Sequence, residues 1–92
     1  MQKKAIVVGA GIAGLACSLR LQKKGYEVTV VERNSYTGGK MHVLEGNGFR
    51  FDLGPSLITM PGLVESLFEL SDKPIEDYFT YKKKEVIFHY IW

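Results

Sequence analysis

Residues 4–32 read KAIVVGAGIAGLACSLRLQKKGYEVTVVE, and the fold class follows from their order. Lys4 to Val8 is a short run with Ile6, Val7 and Val8 together, the composition of a strand buried on both faces. Gly9-Ala10-Gly11-Ile12-Ala13-Gly14 comes next. Behind it Ile12, Leu15, Ala16 and Leu19 recur at three- and four-residue spacing, which predicts a helix with one apolar face. Its expected span is Ile12 to Lys24, where lysines suit the negative end of the dipole and Gly25 can take a left-handed cap. Val28 to Val31 is a second β-branched run, closed by Glu32. Strand, glycine turn, helix and strand make a βαβ unit over residues 3–32, so the class is α/β with a parallel sheet.

The spacing gives each glycine a physical task. Gly9 makes the tight turn, Gly11 leaves room for a pyrophosphate against the backbone, and Gly14 lets the helix pack closely on the strand. The first N–H groups of the helix have no intrahelical acceptor and stand at the positive end of its dipole, a site for phosphate. Glu32 lies 21 residues after Gly11, where a carboxylate can accept both hydroxyls of an adenosine ribose and would repel a 2′-phosphate. The bland alternative makes the glycines a tight βα turn and Glu32 a solvated strand end. A sheet of the methyltransferase type also opens on a glycine-rich turn. Cys17 falls inside the helix and is expected to be a buried packing residue, not a redox group.

Composition narrows the classes. The chain has 92 residues, 46% apolar and 24% charged, with 12 basic and 10 acidic side chains and a net charge of +2. That is globular, with one domain at most, and a chain of this length buries roughly 60–65% of its unfolded surface. The charge is too small for binding nucleic acid by phosphate neutralisation. A single cysteine excludes a disulfide scaffold and points to a reducing compartment, so the expected location is the cytoplasm. Met1 to Lys4 followed by Ala5 to Leu19 copies the outline of a signal peptide. However, Gly9, Gly11 and Gly14 penalise the helix such a peptide forms, and the stretch is too short to span a bilayer. Nor does Gly14-Leu15-Ala16-Cys17 carry the leucine usual before a lipidated cysteine.

After Glu32 the chain reads Arg33-Asn34-Ser35-Tyr36-Thr37-Gly38-Gly39-Lys40. The glycine pair can pass close over a pyrophosphate, with Arg33 and Lys40 placed to balance its charge; the plainer reading is a flexible loop tip. A nicotinamide-binding domain would continue into another crossover helix. Here Met41 to Leu44, a turn at Gly46-Asn47-Gly48, and Phe49 to Asp52 read as a hairpin instead. Gly54-Pro55-Ser56 is a bend with an exposed hydroxyl, or simply a loop.

Three stretches together, Val7 to Leu15, Glu32-Arg33 with Gly38-Gly39-Lys40, and Gly48 to Ser56, resemble the N-terminus of FAD-dependent carotenoid desaturases of the phytoene and diapophytoene desaturase type. Related carotenoid oxygenases share the pattern. The resemblance runs to about Tyr78, is weak from Phe79 onward, and is most specific at Phe51-Asp52-Leu53-Gly54-Pro55-Ser56. Lys40 stands where arginine is more usual, which keeps the charge and loses the bidentate fork. The resemblance implies a Rossmann-like FAD-binding fold with a hairpin and an amphipathic helix after its βαβ part, and FAD as cofactor in preference to NAD. It places Gly9, Ala10, Gly11, Ile12, Ala13, Gly14 and Glu32 on the ADP half, and Arg33, Gly39 and Lys40 along the pyrophosphate. Gly54, Pro55 and Ser56 would then approach the ribityl or isoalloxazine end. The implied parent is an oxidoreductase acting on a long isoprenoid hydrocarbon; an amine-oxidase-like flavoprotein and a non-catalytic dinucleotide-binding module are the alternatives.

The organisation expected for residues 1–92 is thus part of such a domain: βαβ over 3–32, glycine-pair loop and hairpin over 33–56, a helix over 61–71 and a strand region over 79–92. Pro61 suits a first helical turn, and Leu63, Val64, Leu67 and Phe68 form an apolar face opposite Glu65, Ser66 and Glu69. That face reads as packing, or as a wall toward an apolar substrate. Ile75 to Tyr78 has the length of one turn. Lys82 to Lys84 is a solvated bend or a contact with an anionic lipid surface, which would make the protein peripheral to a membrane. The chain stops inside the apolar run Val86 to Trp92, which reads as a cut through a strand and so as an N-terminal fragment. His42 and His89 share no ligand spacing, so no metal is expected, and no nucleophile–base constellation can be assigned.

Overall fold

The computed structural model describes residues 2–55 and 57–86. Lys4–Val8 forms β1 and Glu27–Val31 forms β2. They pair in parallel, Lys4 opposite Glu27 and Val8 opposite Val31. The crossover is helix α1, Ile12–Lys23, and it packs on both strands. It ends as the sequence predicts. Gly25 has φ of +95°, its N–H donates to the Gln22 carbonyl, and the Tyr26 N–H donates to the Leu21 carbonyl, a Schellman closure.

After β2 a loop leads to β3, Val43–Gly46, and β4, Phe49–Asp52, which form an antiparallel hairpin. Asn47 and Gly48 make its two-residue turn with φ of +51° and +79°, the type I′ geometry that matches strand twist. Helix α2, Pro61–Leu70, starts on its proline and packs against α1. A single 3-10 turn follows at Ile75–Asp77.

Four expectations need correction. β1 is covered on one face only: Ala5 and Val7 lie half-buried toward α1, whereas Ile6 and Val8 are 72% and 84% exposed. A parallel sheet is buried on both faces when helices cover both, and the described residues supply a helix to one. Cys17 is exposed, because Ser18 takes the inward position of that turn and donates its hydroxyl to the Gly14 carbonyl at 2.7 Å. Ile12 and Leu63, each assigned to a packed helix face, are exposed as well. No strand forms over residues 79–86, and residues 87–92 of the expected strand region lie outside the described residues.

The accessible surface is 8349 Å², against about 5,400 Å² for a compact monomer of this mass. Among the described residues only Ala10 and Ser18 are buried.

Candidate dinucleotide site

Ala10, 2% exposed, is the junction on which the site is built. Its N–H donates to Glu32 Oε1 at 2.9 Å, and its carbonyl accepts the Gly38 N–H at 2.7 Å. Beside it the Gly9 N–H donates to the Val31 carbonyl at 2.7 Å. The first turn is therefore fastened to the end of β2 and to the glycine-pair loop through backbone groups. Gly9, at φ of +100°, and Gly38, at +105°, hold conformations that side chains disfavour.

The two glycine motifs, 24 or more residues apart in the chain, meet here. Gly11 and Gly38 form an isolated parallel bridge, and a Cβ on Gly39 would stand 3.1 Å from the Gly11 Cα. A Cβ on Gly14 would run into the Gly9 carbonyl oxygen, which is the close helix-to-strand packing the sequence predicts. A Cβ on Gly54 would run into the Lys40 carbonyl oxygen, so the segment after β4 lies directly on the loop. Tyr36 and His42 stack at 3.9 Å between ring centroids and 13° between planes, bracing the base of that loop.

Between these segments opens a cleft of ≈ 550 Å³. It is lined by Val8, Gly9 and Gly11 to Gly14 on one side, Gly38 to Met41 on the other, and Pro55. The N–H groups of Ala13 and Gly14 lie in the first turn of α1, where no intrahelical acceptor exists, and Lys40 is the cation on the rim. These features fit a dinucleotide pyrophosphate: the close approach needs the absence of Cβ atoms at Gly11 and Gly39, and unused backbone donors point from the helix start.

Glu32 does not line the cleft; it stands behind the turn. One carboxylate oxygen accepts from Ala10 and the other from the Asn34 N–H at 2.9 Å. The Asn34 N–H chiefly, then that of Ala10, holds its carboxyl below the ordinary value near 4.5, with Arg33 assisting and partial desolvation opposing. Each oxygen keeps a second lone pair for a hydroxyl donor.

Of the residues singled out in the sequence, Gly9, Gly11 to Gly14, Gly39, Lys40 and Pro55 surround the cleft, and Ala10, Glu32 and Gly54 support it from behind. Arg33 is exposed and lies outside the lining. Ser56 lies outside the described residues. Val8 and Met41 line the cleft without having been singled out. Val8 reads as strand and Met41 as hairpin, and only the crossing of the loop over the first turn places them here. No cluster of three metal-ligating side chains occurs among the described residues.

The NAD(P)-binding Rossmann-like domain profile matches residues 7–73. The chain is 56% identical over 90 residues to a 1-hydroxycarotenoid 3,4-desaturase from Flavobacterium sp. (strain P99-3), covering 98% of this chain and 18% of that protein. It is 45% identical over 82 residues to a 4,4'-diaponeurosporene oxygenase from Staphylococcus haemolyticus (strain JCSC1435), covering 89% of this chain and 16% of that protein. An oxidoreductase of known structure from Methanosarcina mazei superposes with a TM-score of 0.60 at 32% identity, over 70% of this chain and 17% of the other. The chain thus spans less than a fifth of the length of these relatives. The turn, the cleft and the profile agree: the chain belongs to the NAD(P)-binding Rossmann-like domain family.

Proposed function

We propose that this chain is the FAD-binding part of an oxidoreductase that desaturates or oxidises a long isoprenoid or carotenoid hydrocarbon. The observation that carries this reading is the meeting of Gly9 to Gly14 with Gly38 to Lys40 across one cleft, with Glu32 fixed behind it. Relatives whose names refer to carotenoid desaturation and oxygenation extend over nearly the whole chain at 45–56% identity. A hairpin in place of a second crossover helix also favours a flavin over a nicotinamide dinucleotide at this site.

Gly11, Ala13, Gly14 and Gly39 would hold the pyrophosphate, Lys40 would balance its charge, and the second lone pairs of Glu32 would accept the ribose hydroxyls. Bound FAD supplies the acceptor for a hydride equivalent, and the protein supplies position and polarity. This chain's share is binding and orientation of that cofactor.

The test is the absorption spectrum and turnover of the full-length protein. Oxidised-flavin bands on the purified protein, with a coloured polyene formed from a colourless isoprenoid precursor in an expressing host, are expected. A protein that carries no flavin, or one that oxidises amines and leaves the isoprenoid unchanged, would overturn the reading.

A further inference from the structure

Gly38 to Met41 form one wall of the cleft and belong to no helix or strand. Gly38 and Gly39 sit at φ of +105° and +61°, in backbone regions that glycine enters and leaves freely. Fixing such a segment costs conformational entropy, so it stays closed only where contacts at its ends hold it. Its tip is held by the Gly38 N–H, which donates to the Ala10 carbonyl at 2.7 Å. Its base is held by the rings on either side, Tyr36 and His42, which lie face to face at 3.9 Å with planes 13° apart. His42 also ties the loop to the chain beyond the hairpin. Its carbonyl accepts the Leu53 N–H at 2.8 Å, just before Gly54, which lies against the Lys40 carbonyl, and Pro55, which lines the cleft.

We infer that Tyr36 and His42 are positioning residues for the dinucleotide: their stack clasps the loop shut and so sets how tightly the cleft holds its ligand. The inference rests on reading the cleft as a dinucleotide site, and it applies to a flavin and a nicotinamide dinucleotide alike. Neither ring lines the cleft, so both act through Gly39 and Lys40 and not by contact. A ligand that binds only the closed loop has an apparent affinity proportional to the fraction of molecules in which the loop is closed. Removing the stack lowers that fraction by up to the strength of one aromatic pair, about two- to tenfold. The contact is between ring faces, so it depends on two planar rings and not on the Tyr36 hydroxyl. Every contact in the clasp lies between residues 10 and 55, and none needs another part of a longer protein.

The test is titration of the full-length apoprotein with FAD and with NAD, beside hydrogen exchange on the cofactor-free protein read by mass spectrometry. Tyr36→Ala and His42→Ala should each weaken binding of whichever dinucleotide the wild type takes, by about two- to tenfold. The double variant should lose little more than either single one, because one contact is removed in all three. Tyr36→Phe and His42→Phe keep two planar rings and should restore the affinity. In the cofactor-free alanine variants the Gly38, Met41 and Leu53 amides should exchange faster, while the β1–β2 ladder exchanges as in the wild type. Unchanged affinity in both alanine variants, equal loss in Tyr36→Phe and Tyr36→Ala, or faster exchange throughout β1 and β2 would overturn the inference and leave the reading of the cleft standing. A wild-type protein that binds neither dinucleotide would overturn both.

Discussion

At the cleft four backbone segments meet through glycines and main-chain groups, whereas on the outer faces of both sheets large apolar side chains stand exposed. Ala10 joins the turn, β2 and the Gly38 loop through its own N–H and carbonyl. Ile6 and Val8 on β1, and Leu44, Phe49 and Phe51 on the hairpin, are all more than half exposed. Arg50 bridges Glu45 and Asp52 on the hairpin's other face, so that ribbon is amphipathic, with its apolar side exposed as well as its polar one. A backbone hydrogen bond is worth about 1 kcal/mol net, and covering one such apolar side chain roughly 1.5–3 kcal/mol. The cleft's shape is thus set by which residues lack side chains, and its persistence by how much apolar surface becomes covered.

Two glycine substitutions separate shape from persistence and should give the largest effects. At Gly14 an added methyl meets the Gly9 backbone, so Gly14→Ala must push α1 off β1. Its expected cost is about 1–3 kcal/mol of stability, typical of overpacking, together with loss of the cofactor. At Gly11 an added Cβ meets only the Gly39 Cα, at an ordinary 3.9 Å, and the backbone there is extended. Gly11→Val should then cost under about 1 kcal/mol in folding while filling the space left for a pyrophosphate. Thermal denaturation followed by circular dichroism, beside retention of bound nucleotide, checks both. Equal loss of fold and ligand in the two variants would remove the distinction between cleft and scaffold.

Glu32 offers an intermediate effect, because it acts on the cleft from behind. In Glu32→Gln the carboxamide cannot accept from both Ala10 and Asn34 in the observed geometry, so one N–H loses its partner. Dinucleotide affinity should fall roughly ten- to a hundredfold, the range for a hydrogen bond to a charged group, and amide exchange at Ala10 and Asn34 should quicken. The pH dependence has a definite sign. A carboxyl held below its ordinary value contributes fully above that value and loses its contribution as pH falls through the depressed one. Binding should therefore hold steady from neutral pH down to the ordinary carboxylate range and weaken only below it. Weakening that sets in at or above the ordinary value would mean that Glu32 is not clamped by these N–H groups.

The elements that the sequence made legible are those specified within a few residues. The span of β1, the start of α1, the Gly25 cap and the Asn47-Gly48 turn each depend on local propensity and φ, and the structure places them there within a residue. The glycine fingerprint is legible for the same reason, since its requirement is steric and local. What could not be read is whatever depends on a neighbour from elsewhere. Periodicity marks Ile6, Val8 and Ile12 as apolar but does not say whether anything covers them. Residue type suggested a buried Cys17, but the inward place in that turn is held by Ser18. The lining role of Met41 depends on the Gly38 loop crossing the first turn, and the Tyr36–His42 stack depends on the same closure.

The smallest expected effect tests whether local rules hold as well in the half away from the cleft. α2 ends as α1 does: the Asp72 N–H donates to the Glu69 carbonyl and the Lys73 N–H to that of Phe68, but the left-handed residue is Asp72, at φ of +55°, and not glycine. An L side chain in that region is disfavoured, and glycine is the residue that Schellman closures select. Against this, Asp72→Gly forfeits an exposed ion pair with Lys23 at 4.0 Å, which contributes little in water, and adds freedom to the unfolded chain. The balance should be a gain of about 0.5 kcal/mol, since relief of the left-handed strain exceeds the two losses. Chemical denaturation of the full-length protein should show a slightly higher midpoint at unchanged slope, with nucleotide affinity unaltered because α2 lines no part of the cleft. A lower midpoint would mean that the Lys23–Asp72 contact couples α1 to α2 more strongly than its exposure implies.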